Sequence, residues 1–147
     1  MSKPKADSNF VKLLKSLLRE AGFMCRSNKC TAPGDDLHVE FSFRNRWGFP
    51  ISDVYIEVSD QEIGTLLQDD IRFIFQGYYG LRAEFSDEEL LSMDADTESR
   101  VRKVITDEVA PQTLALTDRD HFLEQLDAGR FVKSGIYVHA VAKLRLQ

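Results

Sequence analysis

Along residues 8–21, apolar positions return every three or four residues. Phe10, Val11, Leu13, Leu14, Leu17, Leu18 and Ala21 fall on one face, and Lys12, Lys15 and Arg19 on the other. That spacing predicts an amphipathic helix, capped by Asp7 or Ser8 and stopped at Gly22. The period then drops to two. Phe23–Cys25 and Cys30–Ala32 flank the polar run Arg26-Ser27-Asn28-Lys29, which reads as two short strands around a turn. Pro33-Gly34-Asp35-Asp36 is a second turn. Leu37, Val39, Phe41 and Phe43 next alternate with His38, Glu40, Ser42 and Arg44. One face of this strand is therefore expected to be buried, with Phe41 inside and Glu40 outside. Val54, Ile56 and Val58, opposite Asp53, Tyr55 and Glu57, predict a partner strand with Ile56 inside and Glu57 outside.

Beyond Asp60 the spacing lengthens towards 3.6. Ser59 and Glu62 stand at capping-box distance, and Ile63, Leu66, Leu67, Ile71, Ile74, Phe75 and Tyr78 form one stripe, so a helix is expected here. Gly77 and Gly80 break it. A short helical turn is expected from Ser86 through Leu91, a helix from about Asp96 to Val109 ending before Pro111, and another opening at Thr117-Asp118 and closing at Gly129. The tail, 136–146, fits strand alternation at its start and helix at its end, with helix favoured because it follows helices. The whole reads as an α+β fold: an N-terminal helix, an antiparallel β-meander, then a helical C-terminal half packed on the sheet. At 147 residues this is a single domain, 1–147, with 1–8 as a flexible tail.

Composition adds charge to this picture. Lys and Arg number 19 and Asp and Glu 24, a net charge of −5, which disfavours general nucleic-acid binding. The charge is unevenly spread. Residues 1–30 hold seven basic against two acidic side chains, residues 130–147 four against none, and the middle carries the acidic excess. Within that middle, Glu84, Asp87, Glu88, Glu89, Asp94, Asp96 and Glu98 come with no basic residue between Ala83 and Ser99. The run either favours helix N-termini and solvates a surface, or docks a basic partner. Arg44, Arg46 and Trp47, in a strand-end connection, are a second candidate: two guanidiniums and an indole suit an anion or a protein partner, unless Trp47 only roofs the core.

Other chemistry is thin. Nucleophile elbow, phosphate loop, paired zinc histidines and dinucleotide fingerprint are all missing from the sequence, so no catalytic residue and no cofactor is assigned. Cys25 and Cys30 are expected to remain thiols on the two strands of a hairpin. With His38 they make an incomplete zinc set, and Asp94-x-Asp96 lacks the glycine of a calcium loop, so no metal is assigned. No apolar run reaches membrane-span length and the opening residues lack a secretory stretch, which points to a cytoplasmic chain with no membrane partner.

One combination of segments is familiar. A basic amphipathic helix ending in Ala21-Gly22-Phe23, the Cys30-Thr31 strand, Leu37–Phe43, Arg46-Trp47-Gly48, and Val109-Ala110-Pro111 ahead of Phe122–Leu126 resemble a family of uncharacterised bacterial domains, some of them similar to immunity proteins of polymorphic toxin systems. The resemblance is strongest over residues 9–60. It implies a non-enzymatic protein-binding domain that masks a toxin, and it supplies no catalytic residues; the acidic middle would then pair with a basic toxin surface. The alternatives are a small enzyme or ligand-binding domain with a pocket between sheet and helices, and an oligomer that pairs through an exposed strand edge.

Overall fold

A computed structural model describes residues 8–44, 53–70, 87–131 and 133–147. Helix α1 (Ser8–Glu20) leads into a meander of β1 (Met24–Arg26), β2 (Lys29–Thr31), β3 (His38–Arg44), β4 (Asp53–Asp60) and β5 (Gly64–Asp70). Each strand pairs antiparallel with the next in sequence, giving one sheet in the order β1-β2-β3-β4-β5. Helices α2 (Asp87–Ser92), α3 (Ala95–Val104), α4 (Ala110–Ala115), α5 (Arg119–Asp127) and α6 (Val138–Arg145) follow. The fold is α+β in the order expected.

The sheet's register explains its two faces. Phe41 lies opposite Ile56, Val39 opposite Val58 and Phe43 opposite Val54, and all six side chains are buried. They meet Leu14, Leu17 and Leu18 of α1 and Val101, Val104, Ile105 and Val109 of the later helices in one core cluster. The other face carries Thr31, Glu40, Ser42, Tyr55, Glu57 and Gln68, all half-buried. Glu40 and Glu57 are thus on the outer side, directly across from each other. Their like charges are offset at Glu40 by Lys29, whose Nζ lies 3.7 Å away, and His38 Nε2 lies 3.2 Å from the other carboxylate oxygen.

Three expectations need correcting. First, Cys25 and Cys30 are not thiols. They are partners across the β1–β2 hairpin, Cα atoms 4.0 Å apart, and form a disulfide of 2.04 Å. The hairpin itself was legible. Its two-residue turn puts Ser27 at φ 49°, the sign that primed hairpin turns need, and leaves the cysteines as the next facing pair.

Second, the stripe after Asp60 does not begin a helix but builds β5. Asp60 Oδ2 accepts the N–H groups of Glu62 and Ile63, both at 2.9 Å, as a helix cap would. The turn then ends at Gly64, whose φ of 103° sends the chain back along β4. A bulge between Val58 and Ser59 leaves Leu66 as the additional residue of β5. Leu66 and Leu67 are both fully buried. The Leu66 carbonyl accepts the Tyr137 N–H at 2.9 Å, and Leu67 pairs with Ile136 ahead of α6. Adjacent buried leucines resemble helical spacing but arise here from the bulge, which sets Leu66 and Leu67 side by side opposite Val58, on an edge closed by Ile136 and Tyr137. Residues 71–78 of the stripe lie outside the described residues.

Third, Pro111 does not end the helix before it. Ile105–Val109 widen into a π-turn that joins α3 to α4, and the Ala110 N–H reaches back to the Ile105 carbonyl. Pro111 then falls in the first turn of α4, where its missing N–H costs nothing and its ring escapes the clash a regular helix would impose.

The tail combines both of its readings. Ile136 makes the strand-like bridge to Leu67, and α6 starts two residues later.

Candidate functional site

The acidic run is held by two helices. Asp87 opens α2, Glu88 is exposed, α2 ends at Ser92, and Met93 just beyond it takes a φ of 44°. Asp94 then caps α3: its carboxylate accepts the Thr97 N–H at 2.8 Å. That hydrogen bond first and the Thr97 side chain next hold the Asp94 carboxyl below its ordinary value of 3.8, against desolvation, which raises it; the nearby Arg100 charge adds a smaller lowering. Arg100 ties the helices together. Its Nε meets Asp96 Oδ2 at 3.1 Å, one turn earlier, and its NH2 meets Glu89 of α2. The Glu89 contact comes first among the causes that raise the Arg100 pKa. Glu98 pairs with Arg102 at 3.8 Å. So Glu89, Asp96 and Glu98 each have an internal cation, yet Asp96 keeps 82% of its side chain exposed and Glu98 47%. The run is a fixed acidic surface, partly neutralised along one side.

The second candidate is divided. Arg44 ends β3 on the polar face, exposed, with its guanidinium 4.6 Å over the Tyr55 ring. Arg46 and Trp47 lie outside the described residues, as does Glu84. Among the described residues no ion pair or hydrogen bond links Arg44 to the acidic helices.

A third arrangement was not anticipated. The β2–β3 loop, the β4–β5 turn, the start of α5 and the chain's last residue converge on Arg119. Its NH2 lies 3.3 Å from both Asp36 Oδ1 and Asp60 Oδ1, and its NH1 donates to Gln147 Oε1 at 2.8 Å. Its backbone N–H donates to Asp36 Oδ2 at 2.9 Å. Asp60 is buried and uses its other oxygen in the β4–β5 turn. Gly34 comes so close to this junction that a Cβ there would lie 2.9 Å from the Thr117 Cβ. Beside it runs a cleft of about 430 Å³ lined by Gly34, Asp35, Asp36, Leu37, His38, Ser59 and Gln61. No local pattern marks Arg119, because its partners stand 59 and 83 residues away and a helix-face arginine looks the same in sequence.

A larger cleft, about 650 Å³, follows the α3–π junction past Arg100, Lys103, Val104, Asp107 and Glu108. The space between sheet and helices, by contrast, is filled by Phe41, Ile56, Leu14, Leu18 and Ile105, each at most 1% exposed. Among the described residues no group of three or more His, Cys, Asp or Glu side chains is placed to hold a metal ion, and the disulfide occupies both cysteine sulfurs. No helix among them is long and apolar enough to cross a membrane. The chain matches no protein-family model, no characterised protein and no solved structure in the comparisons made.

Proposed function

We infer that this chain is a non-enzymatic protein-binding domain, used as an immunity protein uses its surface: to mask a basic toxin. The observation that carries this reading is the rigid display of Glu88, Asp94, Asp96 and Glu98 on α2 and α3. A cap and the Arg100 pairs fix the two helices before any partner arrives. A preorganised charged surface loses little side-chain freedom on binding and steers an oppositely charged partner into register. Arg44, stacked on Tyr55, offers a second anchor on the polar face of the sheet.

The test begins with capture of partners by the full chain from its source cell, followed by association kinetics against the captured protein at two salt concentrations. The variant Glu88→Gln/Asp96→Asn/Glu98→Gln spares the Asp94 cap and Glu89. It should associate about tenfold more slowly at low salt and lose most of the salt dependence, because long-range attraction acts on the approach. Identical rates for variant and wild type at both salt concentrations would reject the acidic surface as the binding site.

A ligand-binding reading has one observation in its favour, the 650 Å³ cleft in which Lys103 faces the same space as Asp107 and Glu108. That cleft lies along α3 rather than between sheet and helices.

A further inference from the structure

We propose that the Cys25–Cys30 bridge is a reversible redox latch on the open edge of the sheet, closed by oxidation and opened by a dithiol reductant. The two edges are built differently. At β5 the edge is covered by Ile136 and Tyr137, which bridge and hydrogen-bond to it, and by α6. At β1, among the described residues, three residues pair with β2 alone, and Met24 and Arg26 are exposed. β2, in contrast, is held on both sides, with Lys29, Cys30 and Thr31 in register with Ser42, Phe41 and Glu40 of β3. The disulfide is therefore the covalent tie on a strand that otherwise rests on its three pairs with β2 and on α1.

The two sulfurs sit in different surroundings. Cys30 is fully buried against the Phe41 row, whereas Cys25 is half-buried at the rim, its Sγ 3.8 Å from the Lys15 carbonyl oxygen of α1. A thiolate from outside reaches Cys25 first. Attack there breaks the Cys25–Cys30 bond, forms a mixed disulfide at Cys25 and releases Cys30 as a thiolate, which takes up a proton. The reductant's second thiolate then attacks its own sulfur in the mixed disulfide and releases Cys25 in the same way. Two electrons and two protons reach the protein, and the reductant leaves as a disulfide. Cys30, once a thiol, remains as a small apolar side chain in the core.

Reduction also removes what holds the Cα atoms 4.0 Å apart, closer than the roughly 4.5 Å of an ordinary facing pair that shares no hydrogen bonds. The change stays local, because β2 keeps its register with β3, the Asn28 carbonyl still accepts the Phe43 N–H at 2.9 Å and the Lys15 Nζ bond to the Ser27 carbonyl at 2.6 Å remains. With β1 loosened, β2 becomes the edge of the sheet and its backbone groups on that side lose their partners. This latch is independent of whether the acidic helices bind a toxin.

The experiment treats the full chain with excess dithiothreitol, counts free thiols by alkylation and mass spectrometry, and follows amide exchange peptide by peptide. Two thiols should appear under native conditions. Exchange over Met24–Thr31 should rise at least about tenfold while β3 and β4 keep their protection, the signature of local rather than global opening. Oxidised glutathione should restore both values. The double variant Cys25→Ala/Cys30→Ala should show the fast hairpin exchange without reductant and no response to it, which separates the bond from side effects of dithiothreitol. The proposal is overturned if the thiols never re-form the bridge, if the bridge resists excess dithiol, if reduction leaves hairpin exchange unchanged, or if reduction unfolds the whole chain.

Discussion

The β3–β4 pair and the β1–β2 hairpin belong to one sheet but are stabilised by different means. β3 and β4 match over seven residue pairs, and their inner row buries six apolar side chains. β1 and β2 match over three pairs, and only Cys30 among their six residues is fully buried. A hairpin of that size cannot bury enough apolar area to offset the chain entropy it loses. The disulfide supplies what packing does not, by limiting the freedom of the unfolded hairpin. Packing thus holds the centre of the sheet, and a covalent bond its rim.

The largest expected effect falls at the centre. Phe41 is fully buried, packs against Phe23 at a ring-centroid distance of 5.8 Å and faces Ile56 across the strands. Phe41→Ala should cost about 3–5 kcal/mol in urea unfolding, the usual range for removing a buried aromatic ring. A loss below about 1 kcal/mol would mean that the centre is not packed as described, and the contrast with the edge would collapse.

The edge should yield less. For a loop as short as Cys25–Cys30, chain entropy assigns the bond about 2 kcal/mol. Cys25→Ala/Cys30→Ala should therefore lower the melting temperature by about 4–8 °C in a chain of this length, and dithiothreitol should lower the wild type by a similar amount. A drop as large as that of Phe41→Ala would place the hairpin within the cooperative core, not at its rim.

The same contrast governs what could be read from the sequence. At β3, alternation of Leu37, Val39, Phe41 and Phe43 with polar residues reports a strand buried on one face, and the structure agrees residue by residue. At β5 the bulge leaves Leu66 and Leu67 buried side by side, and the alternation that would reveal a strand is lost. The Asp60 turn imitates a helix cap, and only the φ of Gly64 distinguishes the two. Local rules make Pro111 a terminator, and the π-turn that absorbs it has no signature of its own. For the cysteines, the hairpin followed from pattern, but their oxidation state depends on a Cα spacing that no pattern supplies. Of the candidate site, the acidic run and its helices were legible. Its neutralisation by Arg100 and the Arg119 junction were not, because each needs partners brought together by the fold.

The smallest expected effect lies outside both regions of the sheet and tests whether they respond independently of the acidic helices. Asp94 has its carboxyl held below its ordinary value by the Thr97 N–H, so it favours the folded state when ionised. For a depressed carboxyl the contribution is complete above the unfolded value, near 4, and is lost as pH falls through the lower folded value. Between roughly pH 5 and pH 2 the first turn of α3 should therefore open more often, seen as a loss of protection at the Thr97 and Glu98 amides after correction for the intrinsic pH dependence of exchange. Asp94→Asn keeps an acceptor at the cap but cannot titrate there, so its α3 protection should be nearly flat over the same range. The corrected protection of β3 should not change in either protein, and neither should that of β1 while the disulfide is intact. An Asn variant that loses protection as steeply as the wild type would refute the Asp94 cap as the source of the acid sensitivity.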